Sequence, residues 1–161
     1  MILFLDFDGV LHPDPCFDAR RMFERVPLLA AVLARFPQAG IVLTTSWRSD
    51  KSLAQLRAPL GPLAVRVLGA TPHFSAFSAP ASLQPYPRQA ECQQWLIEAD
   101  AVEREWVALD DRASLFAPDC DRLIECDSAH GLDETSAGRL CFALARAQRA
   151  AEPRGRATLP L

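Results

Sequence analysis

The sequence predicts an α/β fold, three layers deep around a central parallel sheet. Three short apolar runs carry that prediction: Ile2-Leu3-Phe4-Leu5, Gly40-Ile41-Val42-Leu43 and Glu105-Trp106-Val107-Ala108-Leu109. Each is almost continuously apolar, as a strand buried on both faces must be, and helix-length segments separate them. Each also ends on groups that are costly to bury: Asp6-Phe7-Asp8-Gly9 after the first, Thr44-Thr45-Ser46 after the second and Asp110-Asp111 after the third. In open parallel sheets ligands bind outside the carboxyl ends of the strands, so the three endings should converge on one crevice.

The elements follow in order. Met1 leads straight into the first strand, so no cleaved leader is expected. Residues 26–36 place Leu28, Leu29, Val32, Leu33 and Phe36 at helical spacing, with Pro27 in the first turn and Pro37 beyond the end. A second helix should start at Ser49-Asp50, carry Leu53 and Leu56, and stop at Pro59 and Gly61, and residues 64–68 read as a third strand. The proline-rich stretch 69–87 is too short for a domain and long for a connection. Leaving the carboxyl end of a strand, it is expected to wall the site. Residues 88–99 should form a helix with Cys92, Trp95 and Leu96 inward, 122–126 a short strand, and 133–150 a closing helix with Leu140, Leu144 and Ala147 on one face. One domain is therefore expected over residues 1–150, with 151–161, which lack periodicity, as a flexible tail.

Composition narrows the function classes. A chain of 161 residues with half of them apolar can bury one sizeable core. No apolar run approaches a membrane span. The five cysteines (Cys16, Cys92, Cys120, Cys126 and Cys141) show no Cys-x-x-Cys spacing and read as reduced thiols of a cytoplasmic protein. A zinc site at Cys120, Cys126 and His130 would match no common ligand spacing. A net charge of −3 and a pI near 5.6 argue against a strongly electropositive nucleic-acid surface, though not against a local basic patch.

Asp6 and Asp8 are the strongest chemical signal. One residue apart on extended chain, they point the same way, and Gly9 lets the backbone turn past them. Taken alone, Asp-Gly reads equally as a capped turn. The endings of the other two strands favour chemistry.

Those residues resemble the motifs of the haloacid dehalogenase (HAD) superfamily of phosphotransferases. Asp6-Phe7-Asp8-Gly9-Val10 stands for the first motif, Thr45 closing Ile41-Val42-Leu43-Thr44 for the second, Arg88 for the basic third and Asp110-Asp111 for the fourth. The third motif more often carries Lys; Arg is the choice of some branches. The chain is similar in particular to the HAD domain associated with Swiss Army Knife RNA repair proteins, through Thr45-Ser46-Trp47-Arg48, Arg88-Gln89-Ala90-Glu91 with Trp95-Leu96, Leu109-Asp110-Asp111 and Gly131-Leu132. The resemblance spans roughly residues 1 to 147 and implies a three-layer Rossmann-like HAD fold. About thirty residues separate Asp8 from Gly40, which leaves no room for an inserted cap.

The residue types and the resemblance together imply a phosphomonoesterase. Asp6 is the expected nucleophile, forming an aspartyl-phosphate, and Asp8 the general acid and base. Thr45, Ser46 and Arg88 are expected to bind the phosphoryl group. Mg²⁺ is the expected cofactor, on Asp6 and Asp111, the backbone carbonyl of Asp8, and Asp110 either directly or behind Asp111. An open site suits a nucleic-acid end or a nucleotide phosphate, with an RNA repair ligase or kinase as an expected associate. The alternatives are a phosphatase for a small metabolite or phosphoprotein, and a non-catalytic phosphate-binding module. Arg48 reads either as a contact to a second substrate phosphate or as a salt bridge to Asp14 or Asp50. Trp47 reads as packing rather than base stacking, Phe74, Phe77 and Tyr86 as loop anchors rather than base-stacking groups, and His12 as an exposed loop residue rather than a substrate contact.

Overall fold

The computed structural model describes residues 1–151. Five strands form one parallel sheet: β1 (Ile2–Leu5), β2 (Gly40–Leu43), β3 (Val67–Ala70), β4 (Trp106–Asp110) and β5 (Leu123–Glu125), in the order β3-β2-β1-β4-β5. Four α-helices flank it: α1 (Val26–Ala34), α2 (Leu53–Arg57), α3 (Pro87–Glu98) and α4 (Glu134–Ala151).

Strand alternation divides the core in two. Leu3, Leu5, Ile41, Leu43, Val107 and Leu109 face one side, against Leu29 and Leu33 of α1 and Leu140 and Leu144 of α4. Ile2, Phe4, Val42, Trp106 and Ala108 face the other, against Cys92 and Leu96 of α3. This is the three-layer arrangement expected, and no cap domain is present among the described residues. The inward faces anticipated for α3 and α4 hold as well: Cys92, Leu96, Leu140, Leu144 and Ala147 are buried, with Trp95 half-buried at the edge of Phe4.

Two elements lie elsewhere than expected. The third strand runs over Val67–Ala70, three residues further on at its start than the expected 64–68, because residues 58–66 wind as 3₁₀ turns. Arg66 ties that segment to the end of α1: its guanidinium donates to the carbonyls of Leu33 (2.9 Å) and Phe36 (3.1 Å), which also accept the backbone N–H groups of Phe36 and Ala39. The second helix starts at Leu53, not at Ser49-Asp50. Ser46–Ser49 form a 3₁₀ turn, and Ser52 caps α2 in a reciprocal pair with Gln55.

The connection after β3 is correspondingly shorter and is folded. Ala79 and Leu83 pack on Ala90 of α3 with Phe74 and Phe77, whose rings meet edge to face at 5.8 Å. Residues 152–161, most of the expected tail, lie outside the described residues.

Candidate active site

Register builds the site. Leu5 pairs with Leu43 on one side and Leu109 on the other, so the next residues, Asp6, Thr44 and Asp110, stand in a row across the sheet. Backbone bonds from Asp6 N–H to Leu109 C=O (3.1 Å) and Thr44 N–H to Leu5 C=O (2.9 Å) pin that row. Asp6 and Asp110 share the parity of Phe4 and Ala108, so their side chains fall on the α3 face, where Arg88 enters from the first turn of that helix.

Arg88 is buried between the two carboxylates. Its Nη1 lies 3.6 Å from Asp6 Oδ2 and 3.6 Å from Asp110 Oδ2, and it donates to the carbonyl of Thr44. Its Nε lies 3.7 Å from Glu91. Burial alone would weaken its charge, but Asp6, Asp110 and Glu91 more than offset this and raise its pKa. Thr45, fully buried, caps the turn that follows β2 by accepting from Trp47 N–H, and Ser46 is exposed beside it.

Asp8 sits half-buried just before the turn at Gly9, with each carboxylate oxygen engaged. His12 Nε2 lies 3.0 Å from Oδ1, and Trp47 Nε1 donates to Oδ2 at 2.8 Å. The His12 contact, opposed by partial burial and aided by Trp47, holds the Asp8 carboxyl below the usual carboxylate range. Neither partner was anticipated. His12 is 1% exposed, not an exposed loop residue, and Trp47 does more than pack.

Arg48 does not reach into open space. Its Nη2 lies 2.7 Å from Glu91, its Nε donates to Thr71 C=O at 3.1 Å, and its Nη1 bonds the carbonyls of Thr44 and Thr45. The guanidinium is therefore spent on the protein, and its acidic partner is Glu91 rather than Asp14 or Asp50. Glu91, which also accepts Phe74 N–H at 3.0 Å, ties the loop after β3 to both arginines. An acid three residues after Arg88 on the same helix was the available signal for this role.

Asp111 completes the acidic side. Oxygens of Asp6, Asp110 and Asp111 lie within 4.8 Å of one another. Gly9, at φ +67°, makes the approach possible: a Cβ there would fall 2.3 Å from Asp111 Oδ2. Asp110 Oδ2 and Asp111 Oδ1 are buried without a hydrogen-bond partner. Four carboxylates (Asp6, Glu91, Asp110 and Asp111) face two guanidiniums (Arg48 and Arg88), leaving two formal negative charges uncompensated. An all-oxygen donor set with stranded oxygens and that charge suits a small hard dication such as Mg²⁺. Cys120, Cys126 and His130 form no such group among the described residues.

Burial first, then the neighbouring Asp6 charge, pushes the Asp110 carboxyl up to about 7. A folded-state pKa above the unfolded value means that the folded chain holds the extra proton, so stability falls as pH rises from about 4 to 7. In EDTA, Asp110→Asn should therefore raise Tm by roughly 4 °C or more at pH 8, with the gain shrinking towards pH 5. A gain independent of pH would assign the effect to something other than this carboxylate.

A profile of the HAD domain in Swiss Army Knife RNA repair proteins matches residues 2–137. The chain belongs to that family. No curated protein and no solved structure matches it. The HAD domain thus spans all five strands and the start of α4, and its membership points to phosphatase activity. None of its helices among the described residues is long and apolar enough to cross a membrane.

Proposed function

We propose that this HAD domain is a phosphomonoesterase that forms an aspartyl-phosphate on Asp6, uses Mg²⁺, and acts on the phosphorylated end of a nucleic acid. The observation that carries the reading is the buried Arg88, 3.6 Å from both Asp6 and Asp110 at the rim of three strand ends. A guanidinium there is within reach of phosphoryl oxygens on any phosphorus bonded to Asp6.

In the first half-reaction an Asp6 oxygen bonds to phosphorus, the ester P–O bond breaks, and the proton on Asp8 passes to the departing oxygen. In the second, a water oxygen bonds to phosphorus, the bond to Asp6 breaks, and Asp8 takes the water's proton. An Asp8 carboxyl held below its usual range suits the second role. Its acid form is favoured only once the substrate's negative charge lies beside it. Thr45, Ser46 and Arg88 hold the phosphoryl oxygens. Mg²⁺, on Asp6, Asp110 and Asp111 with the Asp8 carbonyl, would supply the positive charge that lets a phosphate dianion approach so many carboxylates.

The capless site supports a bulky substrate, and the family's place in RNA repair supports a polynucleotide end handled alongside a ligase or kinase. Five free cysteines support a reducing compartment such as the cytoplasm. The test is a panel of 3′- and 5′-phosphorylated oligonucleotides, mononucleotides, sugar phosphates and phosphopeptides. Oligonucleotide ends should give the highest kcat/KM, EDTA should stop turnover and Mg²⁺ should restore it. Efficient turnover of a metabolite with oligonucleotides ignored would replace the substrate assignment. Phosphate binding without turnover of any substrate would make the domain a binding module.

A further inference from the structure

Asp8 carries the proton in both halves of the proposed reaction, yet the strand does not fix its carboxylate. The side chain is 32% exposed and lies past the end of β1, just before the glycine turn. Two side chains from different parts of the chain fix it instead. Trp47, in the 3₁₀ turn after β2, donates its indole N–H to Oδ2 at 2.8 Å; His12, four residues after Asp8, meets Oδ1 at 3.0 Å. Each oxygen thus has one partner of its own.

Both partners are themselves held. The Trp47 ring meets Phe7 at 5.8 Å and Phe23 at 5.6 Å, edge to face in each case, and lies 6.0 Å from His12. His12 in turn meets Phe23 at 5.0 Å. Ring packing of this kind leaves an indole or imidazole little rotational freedom, so the two donors are presented at set positions.

The state of His12 argues for purpose. An ionised carboxylate only accepts, so beside ionised Asp8 the Nε2 atom bears the proton. Nδ1 is then left buried without a hydrogen-bond partner. A leucine or phenylalanine would fill an aromatic pocket without stranding a polar atom. A histidine there is explained by what Nε2 does for Asp8.

We propose that Trp47 and His12 are positioning residues that aim the Asp8 carboxyl at the oxygen leaving phosphorus. The proposal rests on the phosphatase reading above and adds to it two residues that the mechanism there does not use. Its distinctive consequence is leaving-group dependence. Phenyl phosphate releases a basic phenolate that needs a proton as the bond breaks; p-nitrophenyl phosphate releases a weakly basic one that does not. Losing the aim of the acid should therefore harm the first substrate far more than the second.

The experiment measures kcat/KM, which reports the steps up to alcohol departure, for both substrates with Mg²⁺. Trp47→Phe keeps an aromatic ring and removes the N–H. It should lower kcat/KM on phenyl phosphate by about 10–50-fold and on p-nitrophenyl phosphate by less than about threefold, a fraction of what a general acid typically contributes. His12→Phe should behave alike, and His12→Gln, whose amide N–H can reach the Nε2 position, should recover much of the loss. Equal losses on both substrates, or no rescue by Gln, would overturn the positioning role while leaving the phosphatase reading intact. A wild-type protein that hydrolyses neither substrate would overturn both.

Discussion

Asp6→Asn should abolish turnover, lowering kcat by at least about 10³-fold, the scale on which removing a nucleophile acts. The substitution removes the attacking charge and almost no volume. Its amide oxygen can still accept the Phe7 N–H that Asp6 Oδ1 accepts at 2.8 Å. The fold should therefore survive, and without metal it should be more stable than the parent, since burial, more than any neighbour, raises the Asp6 pKa. The paired measurement is kcat with Mg²⁺ and Tm in EDTA. Turnover above about 1% of the parent's would rule out a covalent intermediate on Asp6, and a large fall in Tm would mean that the loss of activity reports unfolding instead.

Arg88→Ala should be the most destabilising single change at the site, at about 3–5 kcal/mol, the usual cost of removing one partner from a buried ion pair. The Arg88 side chain is 9% exposed, and its guanidinium stands between Asp6, Asp110 and Glu91. Without it Glu91 keeps Arg48, but Asp6 and Asp110 lose their shared cation. Chemical unfolding in EDTA measures the loss. Saturating Mg²⁺ should recover part of it, because a dication bound only to the folded chain stabilises by mass action and supplies the missing charge. Arg88→Lys should fall between the two, since one ammonium cannot span carboxylates on both sides and the Thr44 carbonyl together. A Tm for Arg88→Ala within about 1 °C of the parent would show that the guanidinium contributes nothing to holding the carboxylates, because a loss of about 1 kcal/mol alone shifts Tm by 2–4 °C at this size.

The chemistry-bearing strand ends were readable without coordinates because buried parallel strands leave a simple trace. A run such as Ile2-Leu3-Phe4-Leu5, too short for a helix and followed by Asp-Gly, suits a sheet interior, and the acids after it then lie at its carboxyl end. The same holds for the Thr44-Thr45-Ser46 and Asp110-Asp111 endings and for the apolar faces of α1, α3 and α4. β3 and α2 were displaced because their signals are shared. Ala64-Val65 is apolar enough for a strand, yet Val65 is 91% exposed, and Arg66 binds carbonyls at the end of α1 instead. Ser49 and Ser52 both suit a helix start, and only the turn held by Thr45 selects the second.

What local pattern could not reach are the pairings between distant side chains. Nothing in the spacing of Arg48 and Glu91, or of Asp8 and Trp47, says that they meet; register across the β1–β2 pair and the docking of α3 bring them together. That is why Arg48, read as a substrate contact or a salt bridge to Asp14 or Asp50, has Glu91 as its acidic partner, and why His12 is a buried partner of Asp8 and not an exposed loop residue. Side-chain types and strand endings specify which chemistry a chain carries, since desolvation makes such groups too costly to place idly. Which groups hold the reacting ones in place depends on long-range packing, where a donor finds its acceptor only after the layers close.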